Sequence, residues 1–177
     1  PNTAPVPQSQ TVFLDEDTPA VITLSATDAN GDPLTYVIEE APKFGTLSAI
    51  DPATRKVTFT PTPNVRGNDS FKFRVSDGLA SAVGTITLKI RPINDVPVAN
   101  AATCSPLDDP ALNGQLTGTD VETPTELTFN LVSGPASGAL TLNPDGTFNY
   151  NPAANFNGTV SFVFTVTDTG DDELDCG

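Results

Sequence analysis

Short runs of alternating apolar and polar residues recur in the first half of the chain: Thr11-Val12-Phe13, Ala20 to Ser25, Leu34 to Ile38, Lys56 to Thr60, Ser70 to Val75 and Gly84 to Ile90. A period of two sends one set of side chains to a core and the other to solvent, so each run predicts a half-buried β-strand. Between the runs stand Asn30-Gly31-Asp32-Pro33, Asp51-Pro52, Pro61-Thr62-Pro63-Asn64 and Asp77-Gly78. These carry the Gly, Pro and Asx chemistry of chain reversals. No segment shows an apolar period of 3.6. Six or seven short strands of this kind predict an all-β domain, an antiparallel Greek-key β-sandwich.

The phrasing then returns 91 or 92 residues later. Asp28-Ala29-Asn30, leading to Leu34-Thr35-Tyr36, corresponds to Asp120-Val121-Glu122, leading to Leu127-Thr128-Phe129. Asn64-Val65-Arg66-Gly67 returns as Asn155-Phe156-Asn157-Gly158, Ser70-Phe71-Lys72-Phe73 as Ser161-Phe162-Val163-Phe164, and Asp77 as Asp168. The chain therefore reads as two tandem sandwiches, 1–95 and 96–177, each of a size to hold its own small core. Pro1-Asn2-Thr3-Ala4-Pro5-Val6 matches Ile93-Asn94-Asp95-Val96-Pro97-Val98. Residues 1–7 thus read as an inter-repeat linker, and the chain as a segment of a longer protein. The first copy continues 18 residues from Asp77 to Asp95, whereas 9 follow Asp168; the last strand of the second copy is expected to be missing or atypical.

Composition narrows the chemistry. There are 17 Pro and 13 Gly, with no Met, Trp or His. Without His, Ser-His-Asp hydrolysis, Cys-His catalysis and His-containing zinc sites are excluded, and the expectation is a protein that is not an enzyme. The formal net charge is −14, and it is unevenly placed: residues 1–96 hold 11 acids and 8 bases, the remainder 11 acids and no base. Nucleic acid and anionic membrane surfaces need Lys and Arg to neutralise phosphate, so this chain is expected to bind neither and to attract cations. No apolar run is long enough to span a membrane, so no direct membrane insertion is expected.

If strands run alternately down and up, the acids sort to the domain ends. Glu16, Asp69, Asn94 and Asp95 fall at the lower end of the first copy. Asp120, Glu122 and Asp168 fall at the upper end of the second, and Asp28, Asn30 and Asp77 at the upper end of the first. Clustered carboxylates repel one another unless a cation neutralises them. Calcium takes 6–8 oxygen ligands in irregular geometry, whereas magnesium demands an octahedron and zinc and copper prefer nitrogen and sulfur. These ten residues are therefore candidate calcium ligands. Asp28 to Asp32 has the look of a helix-loop-helix calcium loop, but no helices flank it, so an EF-hand is rejected.

Ala26-Thr27-Asp28-Ala29-Asn30, Asp77-Gly78 and Asn94-Asp95-Val96-Pro97 resemble the cadherin repeat, whose DxD, xDxG and DxNDNxP elements carry calcium between successive domains. Gly45-Thr46-Leu47, Thr60-Pro61, Asn64 through Phe71 and Ser76-Asp77-Gly78 resemble the cadherin-like and VCBS-type tandem repeats of bacterial extracellular adhesin-like proteins. The resemblance spans residues 1 to 170. It implies an Ig-like, cadherin-like sandwich with Glu16 as the first-loop acid, Asp95 as the linker aspartate, Asp120 and Glu122 as the DxD pair and Asp168 as the xDxG acid. There are departures: the linker lacks the first Asp and last Asn of the cadherin form, Val160 stands for Asp69, Asp109 for Glu16, and Thr3 for Asp95.

Cys104 and Cys176, near the start and end of the second copy, are candidates for one disulfide in a secreted chain, the alternative being two free thiols. Aromatics including Phe13, Phe44, Phe71, Phe73, Phe162 and Phe164 lie mostly at alternating strand positions, where core packing is expected and an exposed sugar-binding platform is not. The function these features point to is a calcium-rigidified spacer or adhesion stalk, extracellular or at the cell surface, whose partners are neighbouring repeats of the same chain. The alternative is a recognition module for polysaccharide or a partner protein, self-association included. An adjacent acid pair such as Glu39-Glu40 points its members apart on a strand, which argues against a glycosidase couple.

Overall fold

The computed structural model describes residues 1–103, 111–122 and 125–168. The described residues form sixteen strands and no helix, so none of them lies in a helix long and apolar enough to cross a membrane. The chain divides into two compact units between Ile93 and Asn94.

Unit 1 contains β1 (Val6–Pro7), β2 (Gln10–Asp15), β3 (Ala20–Thr23), β4 (Ala26–Thr27), β5 (Thr35–Glu40), β6 (Gly45–Leu47), β7 (Lys56–Pro61), β8 (Gly67–Ser76) and β9 (Ser81–Arg91). A four-stranded sheet has the order β2-β9-β8-β5, a three-stranded sheet β3-β7-β6, and β1 pairs with β4. The alternation in sequence becomes the two sides of this sandwich. On β8, Phe71, Phe73 and Val75 turn inward and are fully buried, as are Ile86 and Leu88 on β9 and Phe59 on β7. Burying each such side chain contributes about 1.5–3 kcal/mol. The opposite face of β8 and β9 carries cross-strand ion pairs, Lys72 with Glu40, Arg74 with Glu39 and, at the β2 edge, Arg91 with Asp15.

One pairing departs from the antiparallel expectation: β2 runs parallel to β9, with Gln10 opposite Ile86 and Asp15 opposite Arg91. The entering chain first pairs antiparallel as β1 with β4. Pro7 has no N–H with which to extend that ladder, Gln8 makes a last bond to the Ser25 carbonyl, and the Ser9 hydroxyl then accepts the Thr85 N–H at 3.1 Å. From there the chain runs alongside β9. The parallel register turns Leu14 inward and leaves Phe13 63% exposed, with the Lys89 ammonium 5.8 Å from its ring centroid. Phe44 is also exposed. For these two aromatics the core expectation is corrected.

Unit 2 contains β10 (Val98–Asn100), β11 (Leu112–Gln115), β12 (Thr117–Thr119), β13 (Thr128–Ser133), β14 (Ala139–Leu142), β15 (Thr147–Asn151) and β16 (Val163–Thr167). Its ladders are β11-β15-β14, β13-β16 and β10-β12, the counterparts of β3-β7-β6, β8-β5 and β1-β4. The bulge between Ile38 and Glu40 in β5 is matched by one between Leu131 and Ser133 in β13. The Asn-x-x-Gly turn is matched as well: Asn64 and Asn155 have φ of 58° and 62°, and Gly67 and Gly158 of 113° and 147°. Left-handed backbone of this kind is the reason Asn and Gly recur there. Leu116, Phe129 and Phe148 form the buried centre, with Phe162, Phe164 and Val166 only partly buried against it. Positions equivalent to β2 and β9, together with Asp109 and the Cys104–Cys176 pair, fall outside the described residues.

Candidate functional site

In unit 2 the linker residues fold back onto the domain they precede. The Asn94 side-chain amide donates to Asp168 Oδ2 at 3.2 Å, and the Asp95 N–H to Glu122 Oε2 at 3.0 Å. The Glu122 N–H in turn donates to Asp120 Oδ1 at 2.9 Å, closing an Asx turn directly after β12. Asp168 directly follows β16. Five of the expected residues, Asn94, Asp95, Asp120, Glu122 and Asp168, thus meet within one unit. The second carboxylate oxygen of Asp95 is buried with no hydrogen-bond partner.

The corresponding end of unit 1 gathers Asp28, Asn30 and Asp77 around Asn2 and Thr3. Asn2 donates its side-chain amide to Asp77 Oδ2 at 3.0 Å, and the Thr3 N–H donates to Asn30 Oδ1 at 2.9 Å. The Asn30 N–H donates to Asp28 Oδ1 at 2.8 Å, and Asp28 Oδ2 is buried without a partner. Asp77 also accepts the N–H groups of Leu79 and Ala80. The Ala80 N–H first, then the Asn2 amide and the Leu79 N–H, hold its carboxyl below the ordinary aspartate value. Asn2 and Thr3 had not been singled out from sequence as site residues, although their match to Asn94-Asp95 was the signal that could have found them.

Glu16 and Asp69 make none of the hydrogen bonds that join Asp28, Asn30 and Asp77 in unit 1. Glu16 is 3% exposed and follows β2; its Oε1 accepts the Ile93 N–H at 2.8 Å, and its Oε2 is buried with no hydrogen-bond partner. Asp69 is 9% exposed and holds the turn between β5 and β6. Both of its oxygens accept the Lys43 N–H, Oδ2 accepts the Phe44 N–H at 2.7 Å, and Oδ1 accepts its neighbour Ser70 N–H at 2.8 Å. Its acceptors are spent on the backbone.

Among the described residues, no group of three or more acidic or thiol side chains is close enough together to hold a metal ion as it stands. The donor set nevertheless fits a hard cation. It is made only of oxygen, and buried carboxylate oxygens without donors, as on Glu16, Asp28 and Asp95, are costly unless a cation or proton supplies the missing partner. Nitrogen- or sulfur-seeking metals find nothing at these positions.

No curated protein matches the chain. Among solved structures it is similar to the EC1-2 pair of human protocadherin-24, at 17% identity and a TM-score of 0.68, covering 94% of this chain and 88% of that one. It is also similar to the EC1-4 segment of Drosophila N-cadherin, at 17% identity and a TM-score of 0.65, covering 96% of this chain and 46% of that one. At such identities the likeness establishes the fold. Residues 2–89 match the family described as bacterial Ig domain and residues 94–174 the family described as bacterial cadherin-like domain, so the chain is a tandem of bacterial Ig-like and cadherin-like β-sandwich domains.

Proposed function

We propose that the chain binds calcium at the linker-side end of unit 2 and serves as a calcium-stiffened spacer or adhesion stalk of a larger surface or secreted protein. Asp95, Asp120, Glu122 and Asp168 would supply carboxylates and Asn94 an amide oxygen. Asp69 is left out, because backbone N–H groups already occupy it. The observation that carries the reading is the buried carboxylate oxygen of Asp95 that has no hydrogen-bond partner, within an oxygen-only set. Bound calcium would supply positive charge to a half of the chain that contains no base. A chain without His, belonging to families that are non-catalytic, suits a mechanical role, and extracellular calcium near millimolar suits sites with dissociation constants of about 10⁻⁴–10⁻³ M. The neighbouring repeats of the same chain would be its principal partners.

Calcium titration by calorimetry, with thermal melting in calcium and in chelator, tests this on the chain and on an Asp120→Ala/Asp168→Ala variant. The expected result is saturable binding that the variant loses. Calcium at about 100 times the dissociation constant should raise stability by about 2.7 kcal/mol. No heat and an unchanged melt would overturn the calcium reading. The recognition-module alternative would then lead, starting from the exposed Phe13 ring and its neighbour Lys89.

A further inference from the structure

An asparagine followed by glycine is chemically labile, because no side chain on the glycine hinders its amide nitrogen from reaching the asparagine side-chain carbonyl. The chain contains this pair three times, as Asn30-Gly31, Asn113-Gly114 and Asn157-Gly158, in three different surroundings. Asn113 lies in β11 opposite Asn149, its Oδ1 accepts the Asn149 side-chain amide at 2.8 Å, and a Cβ at Gly114 would stand 2.4 Å from the Phe148 ring. Asn157 is exposed, with the Phe156 ring 3.5 Å from where a Gly158 Cβ would sit. Asn30 and Gly31 are both exposed, Gly31 has φ of 77°, and nothing lies within 4 Å of its Cβ position.

At Asn30 the reacting groups are also prepared. The Thr3 N–H donates to Asn30 Oδ1 at 2.9 Å, the oxygen on which negative charge develops when a nucleophile adds to Cγ. A backbone donor aimed at such an oxygen stabilises the transition state. The N–H groups of Asn30 and Asp32 donate to Asp28 Oδ1 at 2.8 and 3.2 Å, while the Gly31 N–H between them has no acceptor among the described residues. We infer that Asn30 is a self-modifying site, where the Gly31 nitrogen closes a succinimide on Asn30 under polarisation by the Thr3 N–H, and water opens it to aspartate or isoaspartate. In the first step the Gly31 nitrogen bonds to Cγ and gives up its proton, the Cγ–Nδ2 bond breaks, and the side-chain nitrogen leaves with that proton as ammonia. In the second, water adds to one imide carbonyl. Opening at Cγ gives aspartate, and opening at the main-chain carbonyl gives isoaspartate. Glu122 stands at the corresponding place in unit 2 and accepts the Asp95 N–H, but a carboxylate has no ammonia to lose, so the reaction belongs to unit 1. Each conversion adds one negative charge. Isoaspartate also moves a side-chain carbon into the backbone, which displaces the oxygen that holds Thr3.

Peptide-mapping mass spectrometry of the full chain, kept in chelator at a fixed neutral pH and sampled over days, follows the three sites in parallel. Asn30 should convert first and Asn113 last. Thr3→Pro removes the donor and should slow Asn30 by about two- to tenfold, the worth of one hydrogen bond to an oxygen gaining charge, without changing Asn157. Thr3→Ala keeps the N–H and should leave the Asn30 rate as it was. Far-UV circular dichroism checks that the variants fold, and the unaltered chain in urea gives the same answer without a substitution. There the Thr3 N–H is no longer held on Asn30, so the lead of Asn30 over Asn157 should vanish. Conversion of Asn30 no faster than that of Asn157, a folded Thr3→Pro chain with an unchanged Asn30 rate, or a lead that persists in urea would each overturn the inference.

Discussion

Asp69 separates a structural carboxylate from a metal ligand, and substituting it tells the two apart. Its side chain takes three backbone N–H groups: Lys43, bifurcated at 2.9 and 3.1 Å, Phe44 at 2.7 Å and Ser70 at 2.8 Å. Hydrogen bonds to a charged group contribute about 1.5–3 kcal/mol each, and a buried donor left without an acceptor costs about 1–3 kcal/mol. Asp69→Asn keeps one acceptor oxygen and turns an NH₂ toward at least one of those N–H groups. It should therefore lower the stability of unit 1 by about 2–4 kcal/mol, and Asp69→Ala by somewhat more. The assay is urea unfolding of the full chain in chelator and again in calcium, with hydrogen exchange at the Lys43, Phe44 and Ser70 amides to localise the loss. A backbone clamp predicts the same loss in both solutions. A destabilisation confined to calcium, with chelator values within about 0.5 kcal/mol of the unaltered chain, would refute the clamp and return Asp69 to the metal-ligand set.

The remaining predictions concern packing and pH. Gly84→Ala should cost about 1–3 kcal/mol in urea unfolding, because a Cβ there would meet the Phe73 ring at 2.7 Å and the Pro7 Cβ at 2.8 Å; a neutral result would mean that Phe73 and Pro7 do not crowd this position. Phe71→Ala, at a fully buried position, should cost about 3–5 kcal/mol, and Phe162→Ala, its half-buried counterpart, clearly less. Equal losses would contradict the difference between the two cores. The Asp77 carboxyl, held low by the Ala80 N–H, the Asn2 amide and the Leu79 N–H, stabilises the fold above the ordinary aspartate value and loses that contribution as pH falls through its depressed folded value. Carboxyl NMR titration should therefore place its midpoint below that of an ordinary aspartate, and Asn2→Ala should raise it; a midpoint that ignores Asn2 would remove that contact.

What the sequence made legible was whatever depends on periodicity. An inward set at every second position reads the same whichever way a neighbouring strand runs, so the alternation located β8 and β9 but was silent on the parallel pairing of β2 with β9. The position of Phe13 was lost with it. Acids were harder to read, because an aspartate beside a strand looks alike whether it faces a cation or a turn. The difference lies in which donors are near, and for Asp69 these come from residues 43 and 44, more than twenty positions away. The charge split has a structural expression that composition alone could not supply. Unit 1 keeps acids within its strands and pairs them with bases across the sheet, as Glu39 with Arg74 and Glu40 with Lys72. Unit 2 has no bases, and none of its strands among the described residues contains a charged side chain. With no partner to neutralise it on a sheet face, a carboxylate there would lie against uncompensated neighbours, and the acids among the described residues accordingly stand in turns and at strand ends, where water or a cation can reach them. Absence of bases thus leaves the described acids of unit 2 outside its strands, and the linker residues Asn94 and Asp95 close over three of them, Asp120, Glu122 and Asp168.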